Sequence, residues 1–512
     1  MVTSTANRAI KNVATTASVP APIGGWNARD SIADMDPKDA ILLDDFFPST
    51  SDVMLRMGWT EHATGIPDQV ESLLVYNGAA AQEMFAASDG DIYDVTAGGA
   101  VGAPEVTTLS SNRWQSVNIT TAGGSFMVAV NGADDALLYD GSTWTNPAIT
   151  GVAIDDLSNV TLFKNRLWFI EDQTLDAWYL PVDAIAGAAT QFPLGGIARK
   201  GGYLVSFIGW TIDAGEGVDD YFAFVTSQGE VIVYKGTDPN SASTWFLVGV
   251  WTLGAPIGGA RCLHKYGGDV MYLCVDGLLP LSQALLSSRT NQRVAITDKI
   301  QNAMNDAVTQ YGNNFGWEVI FFPLGQMILL NVPVQEGLDQ NQYVMNTITK
   351  AWGRFTKYSA NCFAIFNDEL YFGGNEYVGQ GWDGLTDNGE NITGNVKQAF
   401  DYFGTRGRLK LWKMVRPIFA SDGEPAVSLT VNVDYNDAEP DASASFSPDP
   451  ASTWDNAEWD VGVWGGGLSV LADWQTVGDI GYCGALRMQV VCRGIEVRWQ
   501  VTDHIFERGG IL

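Results

Sequence analysis

The chain has 512 residues, of which 46% are hydrophobic and 17% charged, and its 29 basic and 59 acidic residues give a formal net charge of −30 at pH 7. This apolar content excludes a disordered chain, and the length predicts two or three packed cores. The acidic surface would repel free nucleic acid. It argues against a dedicated DNA-binding protein but suits a surface that DNA must slide past without sticking.

Glycine and aromatic residues are abundant, which favours short strands joined by tight turns. The sequence contains 56 Gly, 18 Trp, 17 Tyr and 23 Phe, and aromatic residues suit strands whereas glycine suits turns. Five widely spaced cysteines without a CxxC pair predict reduced, mostly buried thiols and assembly in a cytoplasm. With no apolar stretch of about 18 residues, we expect neither a secretory signal nor a membrane span.

The start of the chain predicts a flexible arm followed by a compact platform segment. Residues 1–22 are rich in Ala, Thr, Ser and Val and end in Pro20 and Pro22, as flexible arms often do. Residues 23–65 form the platform segment. In it, the residues from Asp36 to Asp39 resemble a helix start before residues 40–43. We expect a loop at residues 44–51 and a strand at residues 53–57.

Residues 66–395 contain an irregular repeat that predicts a β-propeller of six or seven blades. Each unit combines an apolar strand, a turn of Asp, Asn or Gly, a second strand with Leu-Tyr or Ile-Tyr, and a Trp-containing strand. Hairpin signals occur at residues 88–95, 132–144, 171–180, 227–236 and 367–374. Residues 297–311 predict a helical insertion between blades, with Thr297 as its N-cap.

Residues 396–512 predict a separate antiparallel β platform domain, sandwich-like and joined by the N-terminal segment. Longer strands are expected at residues 426–435, 486–492 and 495–501, with a Pro-, Ser- and Asp-rich loop at residues 437–452. The predicted fold class is therefore all-β.

Candidate catalytic residues are few. Only three histidines occur, His62, His264 and His504, and no GxSxG or HExxH motif accompanies them. This restricts the hydrolytic chemistry that needs an imidazole base. We predict no catalytic residue, no cofactor and no metal ligand. A carboxylate pair suited to glycoside hydrolysis stays open, because 59 acidic residues offer many accidental pairs.

Two turn motifs admit a functional and a structural interpretation. Residues 140–144 and 243–245 resemble part of the Asp boxes of sialidase-like propellers, but Asp-Gly is also ordinary hairpin chemistry and Trp packs between blades. Asp89-Gly90-Asp91 with Asp94 could hold Ca²⁺, yet the alternating ligand loop is incomplete. We favour turns in both cases.

Residues 406–416 concentrate positive charge in an otherwise acidic chain. The run contains Arg406, Arg408, Lys410, Trp412, Lys413 and Arg416. On a strand, Arg408, Lys410 and Trp412 share one face. The run is either an electrostatic docking strip for an acidic neighbour, such as an adjacent copy, or an edge strand protected by Lys and Arg. Both interpretations predict an exposed strand.

The platform segment resembles the opening segment of certain tail proteins of short-tailed bacteriophages. In those proteins the opening has the pattern NARD…M…DAI.L.N.FP…R.G and comes before a propeller. The matching residues are Gly25-Trp26-Asn27-Ala28-Arg29-Asp30, Met35, Asp39-Ala40-Ile41, Phe46-Phe47-Pro48 and Arg56-Met57-Gly58-Trp59. Two further places are similar, Ala295-Ile296-Thr297-Asp298-Lys299-Ile300 and Val415-Arg416-Pro417-Ile418-Phe419. These proteins are the nozzle, tail tubular protein B or head–tail stabilisation family.

The resemblance implies a structural virion protein of the tail, assembled in the host cytoplasm and without enzymatic activity. It implies a homohexameric ring below the portal and adaptor (head-to-tail connector) that seals the channel and conducts DNA during ejection. It also implies contacts with the adaptor and with tail fibres or spikes. Candidate interface residues are the six of the basic run together with Trp26, Asn27, Arg29 and Asp30.

Two alternatives belong to other functional classes. The first is a receptor- or carbohydrate-binding tail adhesin, which clustered exposed Trp and Tyr in one pocket would favour. The second is a glycan hydrolase, which requires two carboxylates at catalytic separation.

Overall fold

Short strands connected by tight turns make up most of the chain. The computed structural model describes residues 14–211, 220–286, 294–440 and 468–511. These residues fall into two compact units. Unit 1 contains the described residues up to 58, residues 346–355 and the described residues from 384 onward, and unit 2 contains those of 59–345 and 356–383. The fold is all-β, as predicted.

Strands are numbered in chain order. The first are β1 Ala14–Pro20, β2 Gly25–Trp26, β3 Asp39–Asp44, β4 Phe46–Pro48, β5 Val53–Leu55, β6 Trp59–Gln69, β7 Ser72–Asn77, β8 Gln82–Ser88, β9 Asp91–Asp94, β10 Gly99–Ala100, β11 Gln115–Thr121, β12 Gly124–Val130, β13 Leu137–Tyr139 and β14 Trp144–Thr145. The next are β15 Ile149–Thr150, β16 Leu157–Phe163, β17 Arg166–Glu171, β18 Asp176–Tyr179, β19 Gly187–Ala188, β20 Thr190–Pro193, β21 Leu204–Trp210, β22 Tyr221–Thr226, β23 Glu230–Gly236, β24 Trp245–Thr252, β25 Leu263–Tyr266, β26 Asp269–Cys274 and β27 Gly277–Pro280.

Two helices, α1 Leu281–Ala284 and α2 Gln301–Tyr311, follow β27, and Gly259–Arg261 and Asp298–Ile300 form 3₁₀ turns. The remaining strands are β28 Glu318–Phe322, β29 Met327–Gln335, β30 Asp339–Asn346, β31 Trp352–Phe355, β32 Cys362–Phe366, β33 Glu369–Gly373, β34 Asn375–Gly381, β35 Ile392–Gln398, β36 Arg408–Ser421, β37 Ala426–Val433, β38 Ser469–Leu471, β39 Gln475–Thr476, β40 Ile480–Gly481, β41 Gly484–Cys492 and β42 Val497–Ile511.

Unit 2 is a β-propeller whose described residues form seven blades. In order they are β7–β9, β11–β14, β16–β18 with β20, β21–β24, β25–β27, β28–β30, and β32–β34 with β6. The first strand of each blade contacts the first strand of the next, and that of blade 7 contacts that of blade 1. These inner strands therefore close a ring, which confirms the predicted propeller with the larger of the two expected blade counts.

Blade 7 joins the two ends of the propeller sequence. Its outer strand β6 pairs antiparallel with β34, with Trp59 opposite Gly381 and Ala63 opposite Val378. The predicted boundary between residues 65 and 66 cuts through β6, whereas this hydrogen bonding keeps the whole strand in unit 2. At the other end, residues from 384 onward lie in unit 1 rather than in the propeller predicted to run to residue 395.

The hairpin turns read from the sequence are confirmed. Asp89 and Gly90 both have positive φ, 51° and 78°, between β8 and β9. Asn367 and Asp368, at 50° and 65°, do the same between β32 and β33. Two central residues with positive φ match the right-handed twist of the flanking strands, and Asn, Asp and Gly tolerate that conformation best.

Of the two predicted helices, one is confirmed and one is wrong. The segment from residue 298 to Tyr311 is helical, and α2 buries Met304 and Ala307. Thr297 does not cap it through its side chain, because its hydroxyl instead accepts a hydrogen bond from the Leu278 backbone at 3.2 Å. The helix expected at residues 36–43 is instead strand β3, which pairs with β2, β31 and β35.

Unit 1 contains two groups of paired strands. In the first, β42 lies between β36 and β5, with β4 on β5, β1 on β42 and β38, β39 and β40 on β36. In the second, the order is β31-β3-β35-β41-β37, with β2 on β3. The predicted flexible arm is wrong for residues 14–20, which form β1. Residues 1–13 of that arm and residues 441–452 of the predicted loop lie outside the described residues.

All five cysteines are free and buried, as predicted. Burial raises the pKa of the Cys262, Cys362 and Cys492 thiols to about 12, so these thiols stay protonated and behave as small apolar groups.

Aromatic side chains fill the space between neighbouring blades. Trp168 is fully buried, and its ring stacks on that of Trp245 with centroids 5.7 Å apart.

Candidate functional site

The predicted interface at residues 26–30 is a turn organised by Asn27. The Asn27 amide nitrogen donates to Asp30 at 2.9 Å and Asp39 at 2.8 Å, and its oxygen accepts from the backbone nitrogens of Arg29 and Asp30. Asn27 and Trp26 are buried, so they stabilise unit 1 and are not available to a partner in this structure. Arg29 and Asp30 remain accessible and pair with each other at 2.8 Å.

The basic run was expected on an exposed strand, and this expectation is wrong. Strand β36 pairs with β42 on one side and with β38, β39 and β40 on the other. Lys410 and Trp412 alternate into the core and are fully buried. Desolvation lowers the pKa of Lys410, and its ammonium donates to the carbonyls of Thr405 at 2.7 Å and Tyr482 at 2.6 Å. These bonds satisfy a buried charge, a pattern that the charge run alone did not predict.

The other four cations of the run stay accessible to different degrees. Arg408 is exposed, and the Arg406 side chain is 67% exposed. Lys413 lies 3.9 Å from Glu507. Arg416 is held more firmly, because its guanidinium donates to Asp503 at 2.6 Å. The most accessible part of the basic run is therefore Arg406, Arg408 and Lys413 rather than a continuous row of cations.

Arg56 is the centre of a buried ion cluster. This residue was named from the sequence as part of a motif, but the cluster was not predicted. Its guanidinium contacts Asp45 at 2.6 Å and forms two hydrogen bonds with Asp387 at 2.7 and 2.8 Å. All three residues are buried. Asp387 is far from Arg56 in sequence, and no sequence signal singled it out. The Arg-x-Gly part of the platform motif therefore has a structural role in unit 1.

A second polar cluster, called here the inner-ring cluster, lies where the inner strands of unit 2 begin. It comprises Glu71, Arg113, Arg261, Phe315, Glu318 and Glu336. Arg261 precedes blade 5 and donates to the Glu71 carbonyl and the Ser72 hydroxyl of blade 1, both at 2.9 Å. It also approaches half-buried Glu318 of blade 6 at 3.7 Å. Arg261 therefore links blades that are not neighbours in the ring.

Arg113 completes the inner-ring cluster. Its guanidinium contacts Glu71 at 3.0 Å and Glu336 at 2.9 Å, and lies 4.0 Å from the centre of the Phe315 ring. A cavity of about 300 Å³ adjoins Arg113, Arg261 and Phe315. Each of the three carboxylates in the cluster contacts an arginine. The cluster therefore connects different blades through ion pairs and hydrogen bonds.

The histidines do not come together. His62 contacts the Val95 carbonyl at 2.8 Å, His264 accepts from the Phe321 backbone at 3.3 Å, and buried His504 packs against Phe403. Desolvation lowers the pKa of both His264 and His504 to about 4. Each of these two is therefore a neutral ring packed inside its unit at neutral pH.

These two histidines predict a loss of stability in acid. A folded-state pKa near 4 against an ordinary value near 6.5 means that the unfolded chain binds protons first. The free energy of unfolding is therefore highest above pH 6.5. It falls by up to about 3 kcal/mol per histidine as the pH drops toward 4. We expect His504→Gln to weaken the pH dependence of thermal unfolding between these values. The same change at half-buried His62 is the control, and equal slopes in both variants would contradict the prediction.

The turn motifs have structural roles. Asp140 accepts from the backbone nitrogens of Ser142 and Thr143 at 2.9 and 2.8 Å, and these bonds, that from Thr143 first, lower its pKa. Trp144 packs on Phe85 at 5.1 Å. Asp91 accepts from the Tyr93 hydroxyl. In the described part of the chain, no three His, Cys, Asp or Glu side chains cluster as a metal site would require.

Among the described residues, no helix is long and apolar enough to cross a membrane. No protein-family model matches the chain, and no curated protein matches it.

Three solved structures have backbones similar to about two thirds of the chain. BBS1N in complex with ARL6DN is 10% identical, with a TM-score of 0.39, over 64% of this chain and 97% of that chain. YCF48 from Cyanidioschyzon merolae is 12% identical, with a TM-score of 0.37, over 63% and 98%. Raptor from Chaetomium thermophilum is 11% identical, with a TM-score of 0.41, over 64% and 29%.

Proposed function

We propose that this chain is a structural subunit of a short bacteriophage tail, of the β-propeller nozzle type, without enzymatic activity. Six copies form a ring below the portal and adaptor, seal the channel and conduct DNA during ejection. The partners are further copies, the adaptor ring and tail fibres or spikes, while DNA passes without specific binding. The subunit assembles in the host cytoplasm and resides in the virion tail.

The observation that carries the proposal is the composition of unit 1. Its described residues come from the N-terminal segment, from residues 346–355 and from the C-terminal segment. The resemblance implies a platform built from N- and C-terminal segments beside a propeller. The motif residues Asn27 and Arg56 hold that unit together through buried hydrogen bonds. The most specific part of the resemblance thus has a physical reason within the platform.

Charge supports the same proposal. A chain of net charge −30 repels the phosphate backbone over most of its surface. A wall that DNA must pass quickly benefits from such repulsion, because adhesion would slow ejection. The protein then functions through its interfaces with other subunits and with the adaptor, and not through an active site.

The proposal predicts a ring. We expect purified protein, alone or mixed with its adaptor ring, to give particles with a mass several times 55.3 kDa by light scattering and rings by negative-stain microscopy. A stable monomer that ignores the adaptor and instead binds host-surface glycans would contradict the proposal and favour the adhesin.

Arg408 offers a direct test of the remaining basic interface. Because Lys410 is buried, reversing its charge would disturb the fold, whereas Arg408 is exposed. We expect Arg408→Glu to weaken binding to the adaptor or to a second copy about tenfold, as loss of a docking charge does. Arg493→Glu, exposed in the same unit, is the matched control. Unchanged assembly of the Arg408 variant would remove this residue from the interface.

A further inference from the structure

Strand β24 presents an apolar patch at the edge of blade 4. It is the last strand of its four-stranded sheet, and its only strand partner in the described chain is β23. Phe246, Leu247 and Val248 are exposed by 51%, 42% and 42%. The register shifts between Leu247 and Gly249, and this bulge explains why three consecutive apolar side chains reach the surface.

The outer strands of blades 1, 2, 3, 5 and 7 are protected in recognised ways. In blade 1, β9 has an aspartate at each end, and in blade 2, β14 has only two residues. In blades 3 and 5, β20 and β27 are four residues long and end in proline. In blade 7, β6 is paired by β10. Short length, charge, proline and covering all discourage edge-to-edge association.

Strand β24 has eight residues and contains neither a charged residue nor proline, and no strand of the described chain covers its outer edge. No Asp, Glu, Lys, Arg or His lies between Asp238 and Arg261. A sheet edge with three exposed large apolar residues and no charge is the kind of surface that another protein covers.

Charge indicates what that protein is. On a chain of net charge −30, a basic partner would be attracted almost anywhere except to an uncharged edge. A partner of the same negative charge meets less repulsion at such an edge than over most of the surface. A second copy of this chain has that charge.

We propose that the β24 edge, centred on Phe246, Leu247 and Val248, is a surface through which copies of this chain associate. The inference rests on the proposed function only for the expectation that copies assemble. It adds the surface at which they meet, whether or not the adaptor is present.

The test compares two variants of equal charge. Leu247→Lys with Val248→Lys alters the β24 edge. Leu324→Lys with Leu338→Lys alters two equally apolar residues of unit 2, which are 63% and 60% exposed. Both variants reduce the net negative charge by the same amount, so a general electrostatic effect would strengthen self-association in both. We expect sedimentation velocity to show self-association of the wild type and the control, and weakening by about tenfold or more in the β24 variant.

Circular dichroism and melting temperature establish that the variants fold. If the double-lysine variant of β24 does not fold, Leu247→Ser with Val248→Ser replaces it. Wild type that stays monomeric with and without adaptor, or a β24 variant that associates as strongly as the control, would overturn the inference. If rings form on the adaptor equally well with the β24 variant, the inference fails while the nozzle proposal stands. If copies associate through β24 but never form a ring, the nozzle proposal fails instead.

Discussion

Replacing Arg56 by Met should destabilise unit 1 by about 3–5 kcal/mol, because it leaves two buried carboxylates without their cation. Asp45 and Asp387 both contact the Arg56 guanidinium, at 2.6 and 2.7 Å, and the arginine side chain is fully buried. Both carboxylates are shielded from solvent, since the Asp45 and Asp387 side chains are only 2% and 9% exposed. The measurement is denaturant unfolding combined with hydrogen exchange of β5 and β35.

The Arg56 prediction has two comparisons. Arg56→Lys keeps the charge but loses the two-bond contact with Asp387, so we expect an intermediate loss. Arg29→Met changes an arginine of the same motif whose side chain is 43% exposed, and we expect a loss below about 1 kcal/mol. Similar stabilities for the Arg56 and Arg29 variants would mean that the buried cluster contributes little.

The local pattern of the propeller could be predicted from the sequence, because its causes are local. Asp89-Gly90 and Asn367-Asp368 adopt positive φ between alternating strands, and such pairs are recognisable without a structure. Helix α2 was predictable because its apolar residues recur at helical spacing. The closing strand β6 shows no such pattern, because it contains Gly65 and Pro67 and depends on pairing with the distant strand β34.

Unit 1 was harder to predict because its pairings join distant parts of the chain. Strand β3 reads as a helix start from Asp36-Pro37, yet it lies between β31 and β35, with Asp44 opposite Arg354 and Asn395. Tertiary hydrogen bonding overrides the local signal there. Lys410 is the same kind of case, since its burial depends on the carbonyls of Thr405 and Tyr482.

The inner-ring cluster shows why the candidate residues changed between sequence and structure. No sequence pattern relates Glu71, Arg261 and Glu318, because they precede or begin inner strands of three different blades. Ring closure brings them together. The hydrogen bonds and the ion pair of Arg261 therefore form only when the blades are in place. Residues of this kind become visible only once the propeller is closed.

Replacing Arg261 by Met should destabilise the propeller by about 2–3 kcal/mol near neutral pH, because the chain loses charge-assisted hydrogen bonds and the partner of Glu318. Glu318 is half-buried, with its side chain 17% exposed. Desolvation already raises its pKa, while the Arg261 charge lowers it. Without the arginine, the pKa of Glu318 rises further. Because the folded state then binds a proton more readily than the unfolded chain, the stability of the variant should recover as the pH falls. Denaturant unfolding at several pH values measures both effects.

A double-mutant cycle with Glu318→Gln separates the charge from the packing of Arg261. If the unpaired Glu318 carboxylate causes the loss, Glu318→Gln in the Arg261→Met background should restore about 1–2 kcal/mol and abolish the recovery in acid. Arg113→Met is the matched control, since its side chain is 48% exposed and its loss should stay below about 1 kcal/mol. If the double variant were no more stable than Arg261→Met, the arginine would act through its bonds to Glu71 and Ser72 in blade 1 rather than through Glu318.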